Sequence, residues 1–143
     1  MMDFEVRHAG PESVYEVLHS LKHAGYNVLV DLTAVDYSAH PEGRKGRFEM
    51  VYRLASIDSA TGLETKPRCE IHCPVGEEPV LRSVLCLWPV ADWLEREVWD
   101  MFGIKFQGHP NLKRLLMYEE FQGHALKKDY PYNKRQPLIG PKN

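Results

Sequence analysis

Apolar and polar residues alternate along this chain in two different periods, and the change from one to the other marks out its elements. Between Gly10-Pro11 and Gly25, the residues Val14, Val17, Leu18 and Leu21 recur at i, i+3, i+4 and i+7. That spacing puts them on one face of a helix, with Pro11 at its first turn and Gly25 at a C-terminal cap position. Three runs then alternate with period two: Val28, Val30, Leu32 and Ala34 within 26–36; Phe48, Met50, Tyr52 and Leu54; and Cys69, Ile71 and Cys73. Such alternation predicts strands buried on one face and wetted on the other, hence an antiparallel or mixed sheet. The connections YSAHPEGRKG and SIDSATGLETKP are polar and rich in turn residues. A second helix is predicted from Pro79, with Val80, Leu81, Val84 and Leu85 turned inward and Pro89 ending it. A third follows, capped by Asp92 with Glu95 in the reciprocal capping position. Leu94, Val98, Met101 and Phe102 form its apolar face, and Gly103 stops it.

These elements predict an α+β body over residues 1–107, a two-layer sandwich in which helices cover one face of a small antiparallel or mixed sheet. From Gly108 to residue 143 the pattern fails. Gly, Pro, Asn and His interrupt every few residues, and no period survives beyond a short turn around Leu112–Met117. Leu115, Leu116, Met117, Tyr118, Phe121, Leu126, Tyr130 and Tyr132 are nevertheless crowded there, whereas a disordered linker has few aromatics. The expectation is an extended arm that lies in a groove on a neighbouring polypeptide. Pro110, Pro131, Pro137 and Pro141 would reduce the entropy lost on docking, and the aromatic residues would supply anchor area.

Composition narrows the class. With 143 residues, 43% of them hydrophobic and 27% charged, the chain fits one globular domain with one core. Its apolar runs fall short of the roughly 18–20 residues of a membrane span. The start, MMDFEVRHAG, is polar and unlike a signal or transit peptide. A cytoplasmic location is therefore expected, with membrane contact only through partners. Charge is split along the chain. Lys105, Lys113, Arg114, Lys127, Lys128, Lys134, Arg135 and Lys142 face only Glu119, Glu120 and Asp129, although the whole chain has 18 basic and 20 acidic side chains. An acidic body thus carries a basic end that seeks a partner. The odd cysteine count, Cys69, Cys73 and Cys86, predicts free thiols in a reducing compartment. Cys69 and Cys73 could be read as a ligand pair, but on a strand they share a face with Ile71 and read better as small buried hydrophobes.

Four motifs could carry chemistry, and each has a plainer use. Glu97 and Asp100 are i, i+3 neighbours that could share a proton or a metal ion, while Arg96 and Asp100 are spaced to form an ion pair. Charges on a helix more commonly make a solvated or interface face. His109, in Gly108-His109-Pro110, and His124, in Gly123-His124, are possible metal ligands, though nothing near them completes a known ligand spacing. A hydrogen bond that fixes a loop is the plainer reading. Lys127-Lys128-Asp129-Tyr130-Pro131 could grip single-stranded nucleic acid, but Asp129 and the acidic body oppose a phosphate backbone. A stand-alone metal hydrolase and a nucleic-acid module are therefore the rival classes. Walker loops, GxGxxG, GxSxG and CxxC do not occur in the sequence.

One long string goes further. Trp93-Leu94-Glu95-Arg96-Glu97-Val98-Trp99-Asp100-Met101-Phe102-Gly103-Ile104, followed by Phe106-x-Gly108-His109-Pro110-x-Leu112-Lys113-Arg114-Leu115-Leu116, resembles the signature of the complex I NuoC family, the 30 kDa subunit of NADH–quinone oxidoreductase. Gly123-His124-x-Leu126-Lys127-Lys128-Asp129-Tyr130-Pro131 is similar to that family's second signature. The close match covers about residues 83–131 and departs from the family at Asn111, Lys113, Ala125 and Lys127. The chain is also short for the family.

The resemblance implies a peripheral-arm subunit on the cytoplasmic side of the cell membrane. It would pack foremost against the NuoD-type subunit, with the NuoB- and NuoI-type iron–sulfur subunits nearby. The complex would use NAD(H), FMN, iron–sulfur clusters and quinone, coupled to proton translocation; this chain would bind no cofactor or metal and carry no catalytic residue. The interface positions it implies are Glu95, Arg96, Glu97, Asp100, Gly103, His109, Pro110, Arg114, Gly123, His124, Lys128, Asp129, Tyr130 and Pro131. The equivalent subunit of a membrane-bound, energy-converting hydrogenase is the alternative that shares this signature.

Overall fold

The period-two runs do become strands, and the two ends of the chain wrap around them. The computed structural model describes residues 3–40 and 45–137. In chain order they form β1 (Phe4–His8), α1 (Val14–His23), β2 (Val28–Asp36), β3 (Phe48–Ala55), β4 (Arg68–Val75), β5 (Val80–Arg82), α2 (Ala91–Phe102) and β6 (Lys105–Gln107). The main sheet runs β1-β4-β3-β2. The β2–β3 and β3–β4 pairs are antiparallel and β1–β4 is parallel, so the sheet is mixed. Both helices pack on one face. Val14, Leu18 and Leu21 of α1 and Ala91 and Val98 of α2 share a single core with Phe48, Met50, Tyr52, Leu54, Cys69, Ile71 and Cys73. The α+β, two-layer expectation holds, and the two strand cysteines are core residues. The alternating positions carry a polar ladder on the other face: Arg53 pairs with Glu70 at 2.8 Å, and His72 lies 3.2 Å from both Glu49 and Glu70.

β6 is an additional short strand, α1 starts at Val14 rather than at Pro11, and four further differences from the pattern-based expectation each have a local reason. β1 is an additional strand; all five of its residues are exposed, so no apolar alternation announces it. In β2 a register irregularity between Leu29 and Asp31 shifts the inward set. Leu29 is buried and Val30 is 41% exposed, because a bulge moves one residue to the opposite face. The helix expected from Pro79 does not form. Val80–Arg82 is instead a short strand paired parallel with β6, and a turn follows in which the Leu87 and Trp88 N–H groups donate to the Val84 carbonyl. Leu81 and Val84 are buried, an i, i+3 spacing that a strand and a turn satisfy as well as a helix. Finally, α2 begins after Val90 with no side-chain cap bond, so neither Asp92 nor Glu95 forms the expected capping box. Glu95 is wholly buried and used elsewhere.

Residues 108–137 contain turns but no helix or strand. They lie along α2 of their own chain, as the contacts below establish. Pro141, Lys142 and the rest of 138–143 lie outside the described residues, as do residues 41–44 of the β2–β3 connection. Among the described residues, no helix is long and apolar enough to cross a membrane.

Candidate functional site

The charged residues of α2 do not form a solvated face: Glu95, Arg96 and Asp100 are all buried. A buried charge must be paired or hydrogen-bonded on most of its sites, and each of these three reaches a different piece of the chain.

Asp100 is the centre. Its Oδ1 accepts from Arg114 Nη1 at 2.7 Å, and its Oδ2 accepts three successive backbone N–H groups, from Leu115, Leu116 and Met117, at 3.0, 2.7 and 2.9 Å. Burial alone would push this carboxyl upward. The bonds from Met117, Arg114, Leu116 and Leu115 outweigh burial and hold it below the usual carboxylate range. The i, i+4 pair with Arg96 is not made. Arg96 instead donates to the Lys113 and Arg114 carbonyls at 3.2 and 3.0 Å and lies over the Trp93 ring. Glu97, the proposed proton- or metal-sharing neighbour of Asp100, is exposed to solvent. Arg114 also donates to the Phe121 and Gly123 carbonyls at 2.6 and 2.9 Å, so one guanidinium closes the 114–123 loop onto the helix.

The two histidines anchor opposite ends of α2. His109 Nδ1 accepts the Asn111 N–H at 3.0 Å, which leaves the ring proton on Nε2 to donate to the Asp92 carbonyl at 3.2 Å. His124 Nδ1 lies 3.0 Å from the Asp100 carbonyl oxygen, and its ring meets Trp99 edge-on. Asp92 and Asp100 are eight residues apart, about 12 Å of helix rise, so the histidines share no ligand sphere. Among the described residues, no group of three or more His, Cys, Asp or Glu could hold a metal ion. Gly103 ends α2 at φ +79°, and a Cβ there would stand 2.8 Å from His124 Cδ2. Glycine is thus required both by the left-handed cap and by the imidazole against it.

The second signature string is held to the sheet. The Leu126 N–H donates to the Met101 carbonyl at 3.0 Å, and the Lys128 N–H donates to Asp36 Oδ2 at 2.8 Å. Asp129 pairs with Arg47 at 2.9 Å, and Arg47 also holds Asp36 at 3.0 Å and Glu77 at 2.9 Å. Burial opposes ionisation of Asp36, but Arg47, the Lys128 N–H and Ser38 hold its carboxyl well below the ordinary range. Tyr130 stacks on Phe121 and packs against Gly123, where a Cβ would lie 3.0 Å from the ring. The Lys128 side chain, Pro110 and Pro131 are exposed.

Glu95 serves the other flank. Its carboxylate accepts the Ser83 hydroxyl and the Val84 N–H, both at 2.7 Å, tying the turn after β5 to α2. Burial pushes this carboxyl upward, and the bonds from Ser83 and Val84 offset only part of the rise.

The structure therefore gathers Arg96, Asp100, Gly103, His109, Arg114, Gly123, His124, Asp129 and Tyr130 into one clasp, in which 108–137 is bonded onto α2 and the end of β2, and Glu95 ties the other flank of α2 to the turn after β5. Sequence reasoning missed Asp36 and Arg47, and gave no role to Ser83, which begins the stretch that resembles the family. Asp36 follows Leu32 and Ala34 at period two, and an acid in the inward register was the available signal. Arg47 carried none.

The clasp bears on its surface an apolar set: Trp93, Leu116 and Leu126 are more than half exposed, and Tyr132 is wholly exposed. The family model described as the respiratory-chain NADH dehydrogenase 30 kDa subunit matches residues 7–136, from β1 through the whole clasp. The chain belongs to that family. As a member of the 30 kDa family of complex I it is 44% identical over 133 residues to the C-type subunit of NADH-quinone oxidoreductase from Citrifermentans bemidjiense, across 90% of this chain and 76% of that relative. It is 39% identical over 129 residues to subunit 5 of the same oxidoreductase in Thermus thermophilus, across 90% and 62%. Over 109 residues it is 45% identical to the C/D-type subunit of NADH-quinone oxidoreductase from Methylococcus capsulatus, across 74% of this chain and 18% of that relative. A solved structure of a trypsin-resistant fragment (1–134) of Nqo5 superposes with a TM-score of 0.69 at 38% identity, covering 75% of this chain and 81% of that one. The chain spans 62–76% of the length of the first two relatives named here.

Proposed function

We propose that this 30 kDa-family chain is a non-catalytic, peripheral-arm subunit of proton-translocating NADH–quinone oxidoreductase that braces its neighbours, the D-type subunit foremost. The observation that carries this reading is the use made of the clasp's polar groups. Asp100, Glu95, His109 and His124, the side chains with catalytic or ligating potential, are each engaged in bonds that shape the chain itself. What the clasp offers outward is Trp93, Leu116, Leu126 and Tyr132, aromatic and aliphatic anchors of the kind that dominate binding energies at protein interfaces.

Support for the D-type partner comes from the Methylococcus relative, whose name joins C and D: in one polypeptide the two parts stay together. The B- and I-type iron–sulfur subunits would lie nearby. NAD(H), FMN, the iron–sulfur clusters and quinone would belong to other subunits, and membrane contact on the cytoplasmic side would pass through partners.

Native electrophoresis and affinity co-purification of the complex test the reading. Trp93→Asp combined with Leu116→Asp is expected to leave the protein folded while its D-type partner no longer co-purifies. Full assembly and quinone reductase activity with residues 108–143 deleted would overturn it.

A further inference from the structure

In the clasp the arginines that hold the fold point inward, while Lys113, Lys128 and Lys134 stand at the surface. Arg47 and Arg114, which pair with Asp36 and Asp100, keep 8% and 12% of their side-chain surface, and Arg96 is buried. The three lysines are exposed, yet the backbone that carries each is fixed. The Lys113 carbonyl accepts from Arg96, and residues 114–117 are bonded to Asp100. The Lys128 N–H is bonded to Asp36, and Asp129 to Arg47. The Lys134 N–H donates to the Pro131 carbonyl at 3.0 Å, and its ammonium lies 5.7 Å from the centre of the Tyr130 ring. A charge on anchored backbone loses less freedom on meeting a partner than one on a loose tail.

These ammonium groups flank the apolar anchors. Lys113 stands three residues before Leu116, Lys128 two after Leu126, and Lys134 two after Tyr132. An apolar centre with a charged rim is the make-up of a protein interface. We propose that the surface on which the clasp docks is acidic. It has apolar pockets for Leu116, Leu126 and Tyr132, bordered by aspartate or glutamate carboxylates that meet Lys113, Lys128 and Lys134. This rests on the reading of the clasp as the docking face for the D-type subunit, and adds the chemistry of the surface it meets.

A phosphate surface, of lipid or nucleic acid, is the other anionic candidate, and the acids of the same region oppose it. Glu119 and Glu120 are exposed between Leu116 and Leu126 in the chain, and Glu97 is exposed one turn beyond Trp93 on α2. An array of phosphates repels all three. A protein can set carboxylates against the lysines and a cation or a polar group against the glutamates.

Zero-length cross-linking of the intact complex tests the proposal. A carbodiimide activates a carboxylate and leaves as a urea when a deprotonated lysine amine attacks, so an amide bond forms only where the two groups touch. Mass spectrometry of the digested complex is expected to find Lys113, Lys128 and Lys134 joined to Asp or Glu of the D-type subunit. Lys113→Glu with Lys128→Glu changes only exposed side chains. It is expected to lower co-purification of the D-type partner about tenfold at low salt. The difference is expected to narrow at about 1 M salt, where screening acts within about 3 Å. Lys113→Arg with Lys128→Arg is expected to retain the partner. Links to carboxylates of another subunit would uphold the acidic surface and displace the D-type reading. An intact complex without lysine links, or a charge-reversed chain retained like the wild type at every salt concentration, would overturn the proposal. Reversal-sensitive binding to phosphatidylglycerol vesicles in place of protein links would overturn it too.

Discussion

Asp100 finds its cation fourteen residues later in the sequence, at Arg114, rather than one helical turn back at Arg96. The choice follows from burial. A carboxylate taken out of water needs donors on both oxygens, and Arg96 offers one guanidinium already committed to two carbonyls. Residues 114–117 supply a guanidinium and three aligned N–H groups together. Replacing Asp100 with alanine would strand that guanidinium and those amides, at a cost of about 3 kcal/mol. Since they belong to the clasp, the loss is expected to show as rapid trypsin cleavage after Lys113 and Arg114, and a urea melt gives its size. Cleavage and melt matching the wild type would refute this role. Asp100 stood out in the sequence by its spacing from Arg96 and Glu97 and by its place in the family signature. Its charge was expected on a solvated or interface face, however, and neither its burial nor its partner was legible. Spacing rules describe neighbours on one helix, whereas this contact depends on where an irregular loop returns.

Within elements, hydrophobic period identified β2, β3 and β4 correctly, missed the short strands β1, β5 and β6, and failed where one extra residue entered. The bulge in β2 sends Val30 outward and Leu29 inward, and two valines with one leucine in Val28-Leu29-Val30 contain no signal for it. Val30→Lys is accordingly expected to change stability by no more than about 0.5 kcal/mol, and Leu29→Ala to cost about 3 kcal/mol, both read from denaturant midpoints. Equal costs would argue for the uninterrupted register. The β5 segment shows the same ambiguity at another scale: two inward residues three apart fit a helix and a strand-plus-turn alike, and pairing with β6, twenty-five residues on, decides. Glu95 secures that arrangement at an electrostatic cost. Its carboxyl is raised by burial, so the folded state holds the proton more tightly than the unfolded chain. Stability from this group is full below the ordinary glutamate range and declines as pH rises through the raised value. Glu95→Gln cannot ionise, and its stability relative to the parent is expected to improve between acidic and neutral pH. A constant difference across that range, measured by urea melts, would contradict the assignment.

At the scale of the molecule, the collapse of periodicity at Gly108 announced the change from regular elements to turns, but not that the segment beyond it rests on its own chain. Residues 108–137 rest on α2 and β2 of the same chain through hydrogen bonds and ion pairs, while aromatic and aliphatic groups face outward. Aromatic density in an irregular segment raises the expectation of an interface; it does not say which polar atoms of the same chain hold the segment in place. The parallel pairing of β1 with β4 has a further consequence during synthesis. Phe4 aligns with Arg68, so β1 leaves the ribosome some sixty residues ahead of β4, its neighbour in the sheet among the described residues. At ordinary elongation rates that interval is roughly 3–13 s. For those seconds the segment that becomes β1 has no β4 to pair with, and it can be seated on the sheet only after β4 has emerged.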